Sequence, residues 1–183
     1  MEELHGGNMN APFLADGRVY KTATRASATI HRLLTYLRDR GLDWVPESFG
    51  IDEDGRHLLS FCPGSVPDDA CPWIWDETIL TEVAGRLRQL HDATSGFRDD
   101  RAEWLLHNQE PPEVICHNDF APYNCVFENG GFKGLIDFDV CCPGSRIWDI
   151  AHTAYRFVPL VPVRGEAQGF VCSPFTVPEM RER

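Results

Sequence analysis

The chain has 183 residues, 43% of them apolar and 25% charged, which allows one compact domain or two small lobes around a real core. Lys and Arg number 17 against 28 Asp and Glu, giving a net charge of −11 without any basic run. Nucleic acid and anionic membranes are therefore not expected as partners, because both need clustered positive charge, whereas an acidic protein suits a cationic substrate.

The N-terminus and the cysteines indicate the compartment. The first residues are acidic and lack the apolar run of a secretory signal, and no stretch approaches the roughly 20 apolar residues that span a bilayer. Seven cysteines, an odd number without a Cys-x-x-Cys pair, favour small buried reduced thiols over a zinc site. We therefore expect a cytoplasmic protein.

The first 62 residues predict a small sheet with one helix. Turn sequences at Asp16-Gly17 and at 52–55 separate short apolar segments and predict two hairpins. Between them, residues 27–38 have apolar side chains at helical spacing, with Thr24 or Ser27 as the cap and Gly41 after the end. These apolar positions are Ile30, Leu33, Leu34 and Leu37.

The pattern after residue 76 is mainly helical. A linker region covers 63–76, and a helix from about Glu77 to His91 follows, with Asp76 as its cap. A third hairpin turns at 129–131, and a last helix covers 147–157. The tail, 158–183, is broken by prolines and shows no period, so we expect it to be irregular.

The segment from His117 to Asn124 carries the strongest chemical signal. Asp119 and Asn124 have the spacing of a catalytic loop in which an Asp orients and deprotonates an acceptor hydroxyl and an Asn binds Mg²⁺. Mg²⁺ takes oxygen ligands with one or two carboxylates, and Asn124 and Asp137 supply such oxygens. This pattern predicts a site for phosphoryl transfer.

The third hairpin provides a geometric expectation for that site. If Gly130-Gly131 is the turn, Asn124 and Asp137 face each other directly, about 5 Å apart. If Asn129-Gly130 is the turn, they are diagonal neighbours that can still share an ion. Asp139 follows two residues later, either as a second metal contact or, as we expect, as a solvated acid.

Three segments resemble the motifs of the aminoglycoside phosphotransferase family, relatives of the protein kinases. The family motifs are His-Gly-Asp-x-x-x-x-Asn, Ile-Asp and Asp-Leu-Ala, which here read His117-Asn118-Asp119 to Asn124, Ile136-Asp137 and Asp149-Ile150-Ala151. The resemblance covers about residues 4–157, with Asn118 in place of the usual glycine. It implies an α+β, two-lobed protein-kinase-like fold with a small antiparallel-sheet N-lobe and a mainly helical, C-terminally shortened C-lobe.

The resemblance also implies roles for individual residues. Asp119 would be the catalytic base, Asn124 and Asp137 the Mg²⁺ ligands, and Asp149 either a brace for the catalytic loop or an ordinary acid at a helix N-terminus. Lys21 would hold the α- and β-phosphates of ATP. The backbone of Ser60 and Cys62 would bind adenine, and the segment from Leu4 to Asn10 would cover the phosphates. His91 is assigned a structural role.

Two departures from the family pattern affect the interpretation. Kinases pair the phosphate-binding lysine with a Glu on the next helix, but the interior of the helix at 27–38 has no acid. Family members also continue for several helices that build the acceptor wall, and helix faces exposed by their absence would favour a homodimer. We therefore expect an N-terminal nucleotide-binding lobe at 1–62, a catalytic lobe at 63–157 and an irregular tail at 158–183.

The functional expectation is an ATP- and Mg²⁺-dependent phosphotransferase. It would move the γ-phosphoryl group to a hydroxyl of a small cationic molecule such as an aminoglycoside. One alternative is a degenerate or truncated kinase homologue that binds nucleotide without catalysis. A second alternative is a metal-dependent hydrolase that uses His117, Asp119, Asp137 and Asp139.

Overall fold

The computed structural model describes residues 2–3, 12–67 and 72–158. Its first part is a five-stranded antiparallel sheet in the order β1-β2-β3-β5-β4. The strands are β1 (Glu2–Glu3), β2 (Phe13–Ala15), β3 (Arg18–Thr22), β4 (Ser48–Ile51) and β5 (Arg56–Ser60). Asp16 and Gly17 both have positive φ, the geometry of a tight two-residue turn, so the first predicted hairpin is confirmed.

Helix α1 (Ser27–Asp39) packs against β4 and follows the predicted apolar pattern. Its four apolar positions are all buried, and Gly41 ends it at a φ of 81°. The predicted cap is wrong, because the N-cap is Ala26 and no side chain caps the helix. The Ser27 hydroxyl instead accepts a hydrogen bond from the Thr24 N–H at 2.9 Å, which fixes the turn before the helix.

The second part contains two α-helices, short 3-10 helices and two short antiparallel strand pairs. Helix α2 (Glu77–Thr94) begins at the predicted cap, since the Asp76 carboxylate accepts from the Thr78 N–H at 2.8 Å. Helix α3 (Arg146–Phe157) ends this part. Strand β6 (Val114–Cys116) pairs with β9 (Cys142–Gly144), and β7 (Cys125–Glu128) pairs with β8 (Gly131–Leu135).

The register of β7 and β8 decides between the two predicted turns. Glu128 pairs with Gly131, so the turn is Asn129-Gly130, and the Gly130-Gly131 turn is wrong. A register shift between Val126 and Phe127 then moves the pairing by one residue. As a result, the Asn124 carbonyl accepts from the Ile136 N–H at 2.9 Å, and Asp137 is the next residue along the chain.

One hydrophobic core joins both parts, and it includes Leu34 of α1, Leu59 of β5, Val83 of α2 and Leu135 of β8. Gly134 permits a close approach between the two parts, since a Cβ there would lie 2.7 Å from the Cys62 sulfur and 3.0 Å from the Trp44 carbonyl oxygen. The junction therefore favours glycine at this position. Among the described helices, none combines the length and the apolarity needed to cross a bilayer.

Candidate active site

The loop after β6 is held in shape by a buried acid from α3. Asp149 is fully buried and accepts from the backbone N–H groups of His117 and Asn118, each at 2.9 Å. Its third donor is His91 Nε2, also at 2.9 Å, from the last turn of α2. Asp149 therefore braces the loop, which is more than the ordinary role of an acid at a helix N-terminus, and His91 is structural, as predicted.

The charge of Asp149 is stabilised where it lies. Burial raises the pKa of this carboxyl group, but hydrogen bonds from His91 and the His117 N–H, together with the electrostatic interaction with both rings, outweigh burial and lower the pKa below its ordinary value. The acid is ionised at neutral pH and anchors two successive N–H groups of the loop.

Asn118 occupies a position that explains the glycine of the family motif. Its φ is 64°, in the left-handed region, which glycine adopts freely and Asn tolerates better than other side chains. The Asn118 amide nitrogen also donates to the Val140 carbonyl at 3.0 Å, so the side chain ties the loop to the segment after Asp137. The departure from glycine is therefore compatible with the same loop geometry.

His117 is a structural residue of this loop. It is fully buried, its Nε2 donates to the Ile136 carbonyl at 3.2 Å, and its ring packs edge-on against Phe138 at 4.8 Å. Burial lowers the pKa of the imidazole. Its Nε2 is therefore occupied by a hydrogen bond to the backbone. In the described part of the chain, no cluster of three or more metal-binding His, Cys, Asp or Glu occurs.

The carboxylate of Asp119 is oriented by its neighbours. The Asn124 amide nitrogen donates to Oδ2 and to the backbone carbonyl of Asp119, both at 2.9 Å, and the Tyr123 hydroxyl donates to Oδ1. His152 Nε2 on α3 lies 3.9 Å from the same Oδ1. Asp119 is thus fixed in direction and partly exposed, as a group that receives a proton from a bound hydroxyl must be.

Asn124 and Asp137 offer oxygen atoms at one end of the β7–β8 hairpin. The side-chain amide nitrogen of Asn124 donates to Asp119. The side-chain oxygen of Asn124, Oδ1, is therefore the atom left to bind a cation. Asp137 has a left-handed backbone, with φ 62° and ψ 66°, and its side chain is 45% exposed. A neutral oxygen and an accessible carboxylate fit the ligand preference of Mg²⁺, which usually retains water ligands beside one or two carboxylates.

Lys21 extends from β3 to the same place. Its Nζ lies 2.7 Å from Asp137 Oδ1 and 2.7 Å from Asp139 Oδ2, and its side chain is 15% exposed. Burial lowers the pKa of this ammonium group, but the charges of Asp139 and Asp137 outweigh it and raise the pKa. The interpretation of Asp139 as a solvated acid is wrong, because it forms an ion pair and is only 26% exposed.

The predicted hinge lies at the end of β5. The Ser60 N–H donates to the Glu47 carbonyl at 2.8 Å, so only the carbonyl of Ser60 is a candidate to accept from an adenine amino group. Cys62 is partly buried, and burial raises the pKa of its thiol. The segment from Leu4 to Asn10, predicted to cover the phosphates, lies outside the described residues, as does the tail from residue 159.

Two residues beside Asp119 were not predicted from the sequence. Tyr123 lies inside the motif, but nothing in the spacing shows that its hydroxyl reaches the carboxylate. Burial and the Asp119 hydrogen bond raise the pKa of this phenol. His152 is 33 residues from Asp119 in the sequence, three residues after Asp149, so one turn of α3 places it above the loop. The bracing role of Asp149 was the signal that could have located it.

Solved structures with similar folds establish the fold class. A choline/ethanolamine kinase family protein from Mesorhizobium loti has a TM-score of 0.60 at 15% identity, covering 85% of this chain and 63% of that protein. The ternary complex of APH(2'')-IIa with streptomycin and ATP has a TM-score of 0.59 at 17% identity, covering 81% and 68%. The expected two-lobed, protein-kinase-like α+β fold is therefore confirmed.

Sequence comparison gives the family. Residues 65–182 match the Phosphotransferase enzyme family, and the chain belongs to it. The trifolitoxin immunity protein of Rhizobium leguminosarum bv. trifolii is 34% identical over 159 residues, which cover 83% of this chain and 60% of that protein. The chain thus spans about three fifths of the length of this relative.

Proposed function

We propose that the chain is an ATP-dependent phosphotransferase that moves the γ-phosphoryl group to a hydroxyl of a small cationic molecule such as an aminoglycoside. One observation carries the proposal. The Asn124 side chain donates to Asp119, while the Asn124 carbonyl accepts from Ile136, the residue before Asp137. The proposed base and both proposed Mg²⁺ ligands therefore share one end of one hairpin, next to Lys21.

The chemistry assigns one task to each group. Asp119 accepts the proton of the acceptor hydroxyl. The oxygen of that hydroxyl bonds to the γ-phosphorus while the bond from the γ-phosphorus to the departing ADP oxygen breaks. Lys21 binds the α- and β-phosphates. Asn124 and Asp137 would hold Mg²⁺, which would supply positive charge to the phosphates. The Ser60 carbonyl and the Cys62 N–H hold adenine.

Two further observations support the nucleotide and the acceptor class. APH(2'')-IIa, which shares the fold, is described in complex with ATP and the aminoglycoside streptomycin. The net charge of −11 favours a cationic acceptor over an anionic one. Specificity between aminoglycosides and other amino alcohols depends on the acceptor wall, so the acceptor is best identified with a panel of both classes.

The test combines binding and turnover. Stabilisation by Mg-ATP and Mg-GTP is measured by thermal shift, and nucleotide consumption is then measured across aminoglycosides and amino alcohols. We expect Asp119→Ala to retain nucleotide binding and to lower turnover by at least about a hundredfold, because a positioned base is lost. Asp54→Ala, which removes an exposed loop acid, is the matched control and keeps full turnover.

The alternative, a non-catalytic nucleotide-binding homologue, is favoured by one observation. Lys21 is bonded to Asp137, so the two groups proposed for phosphate and metal neutralise each other. Nucleotide binding without turnover on any acceptor supports this alternative. The absence of nucleotide binding contradicts both hypotheses.

A further inference from the structure

Helix α1 has no acid to pair with Lys21, although kinases place a Glu on this helix. The polar side chain that α1 directs toward the sheet is His31, whose Nδ1 lies 2.9 Å from the Ser48 hydroxyl. The Ser48 hydroxyl in turn lies 2.8 Å from His57 Nε2. His57 pairs with Lys21 across β3 and β5, and burial lowers the pKa of its imidazole to about 4. None of these groups carries a negative charge, so this chain of groups cannot balance an ammonium.

The negative charge that balances the Lys21 ammonium comes from the segment after β8. Asp137 and Asp139 each place an oxygen 2.7 Å from Lys21 Nζ, but their surroundings differ. Asp137 is 45% exposed, while Asp139, within the short 3-10 helix Phe138–Val140, is 26% exposed. That short helix packs against α1, so Asp139 occupies the junction that a helix acid would otherwise serve.

We propose that Asp139 is the positioning residue for Lys21, replacing the missing helix acid and releasing Asp137 to bind the divalent cation. This inference rests on the proposed function, since it assigns Asp137 to a cation and Lys21 to phosphates. Lys21 has two acceptors while one is needed to hold it. When Asp137 turns toward a cation, Asp139 keeps the ammonium in place at the end of β3.

A competing explanation is that Asp139 is itself a cation ligand. The two explanations predict opposite coupling between Asp139 and Lys21. If Asp139 acts through Lys21, its removal leaves Lys21 bonded to Asp137 alone and weakens cation binding mainly when Lys21 is present. If Asp139 is a ligand, removing Lys21 frees it, and its loss then matters more in the variant without Lys21.

A double-mutant cycle measures this coupling without turnover. Mn²⁺ binding to the nucleotide-free protein is followed by the electron paramagnetic resonance of free Mn²⁺, for wild type, Asp139→Asn, Lys21→Met and the double variant. We expect Asp139→Asn to raise the Kd about tenfold with Lys21 present and about threefold or less without it, as coupled neighbours behave. A larger loss in the Lys21→Met background overturns the proposal.

A second measurement addresses the ion pair itself. The chain has only two lysines, Lys21 and Lys133, so ¹⁵N spectra of the side-chain ammonium groups contain two signals. Lys133, which pairs with Glu128 at 3.3 Å, is the internal reference. We expect the Lys21 signal to persist in Asp137→Asn and to broaden in Asp139→Asn.

The outcomes separate the inference from the proposed function. If wild type binds no Mn²⁺, the metal assignment fails, and the ammonium spectra still decide whether Asp139 holds Lys21. If the Lys21 signal depends on Asp137 and is indifferent to Asp139, the positioning role is refuted even where Mn²⁺ binds. Circular dichroism of each variant verifies that the fold is retained.

Discussion

Asp149 and Asp137 both belong to the candidate site, yet their surroundings are opposite. Asp149 is fully buried and satisfies two backbone N–H groups and an imidazole. Asp137 is 45% exposed and shares one lysine with Asp139. The buried acid has fixed partners, because leaving any of its donors unpaired away from water is costly. The exposed acid can exchange Lys21 for a cation, because water screens the charges both when Asp137 is paired with Lys21 and when it binds the cation.

In this site, the residues that stabilise the fold differ from the residues that are proposed to bind substrate. The loop that carries Asp119 is held by groups that do not touch the reacting atoms. Lys21 and Asp137, which are proposed to bind phosphates and Mg²⁺, are instead held by an ion pair whose carboxylate is 45% exposed. Changes at the first cluster are therefore expected to alter folding, whereas changes at the second are expected to alter binding.

The largest effect is expected from Asp149→Asn. An amide offers one acceptor oxygen where three donors need acceptors, and it adds donors of its own. We expect the free energy of unfolding to fall by about 3 kcal/mol, as when one partner of a buried charged network is removed. Urea denaturation measures the change, and Asp137→Asn is the matched control, with a change below about 1 kcal/mol. Equal losses in the two variants would contradict the comparison.

The pH dependence of that difference follows from the lowered pKa of Asp149. A depressed folded pKa contributes stability that is fully present above the unfolded value, about 3.9, and is lost as the pH falls through the folded pKa. We expect the stability difference between wild type and Asp149→Asn to be constant from pH 7 to about 5 and to shrink below about 4. If this stability difference instead vanishes near pH 6, the pH dependence arises from the titration of a histidine and not from Asp149.

A smaller effect is expected at Asn118. Alanine lacks the local hydrogen bonds that help Asn adopt a φ of 64°, and it loses the bond to the Val140 carbonyl. We expect Asn118→Ala to lower the free energy of unfolding by about 1–2 kcal/mol. Asn118→Gly, which restores the family residue, is expected to lower it by less than about 1 kcal/mol, since it removes the backbone strain. Denaturant titration of both variants tests the order.

The smallest effect on folding is expected from Lys21→Met. Its two ion pairs involve partly exposed carboxylates, and such pairs contribute at most about 1 kcal/mol. We therefore expect the free energy of unfolding to change by less than about 1 kcal/mol, and less still at 1 M salt, where screening acts within about 3 Å. A loss comparable to that of Asp149→Asn would show that Lys21 belongs to the structural cluster.

The sequence by itself determined the local features. The turn at Asp16-Gly17, a third hairpin turning within 129–131 and the apolar faces of α1 and α2 follow from chain geometry over a few residues, so their pattern predicts them. The capping role of Asp76 is equally local, and it was predicted correctly. The spacing of Asp119 and Asn124 lies within one loop, which is why the predicted base and its neighbour are found in contact.

Only the tertiary structure decided the long-range pairings. The one-residue shift in β7–β8, the salt bridge between Lys21 and Asp139 across 118 positions, and the approach of His152 to Asp119 depend on how separate elements pack. The physical reason is that an ion pair or a strand register between distant segments leaves no periodic pattern in the sequence. Both depend on how the segments pack and on which charges the packing brings together. The lysine partner missing from α1 was thus found in the short 3-10 helix that follows Asp137.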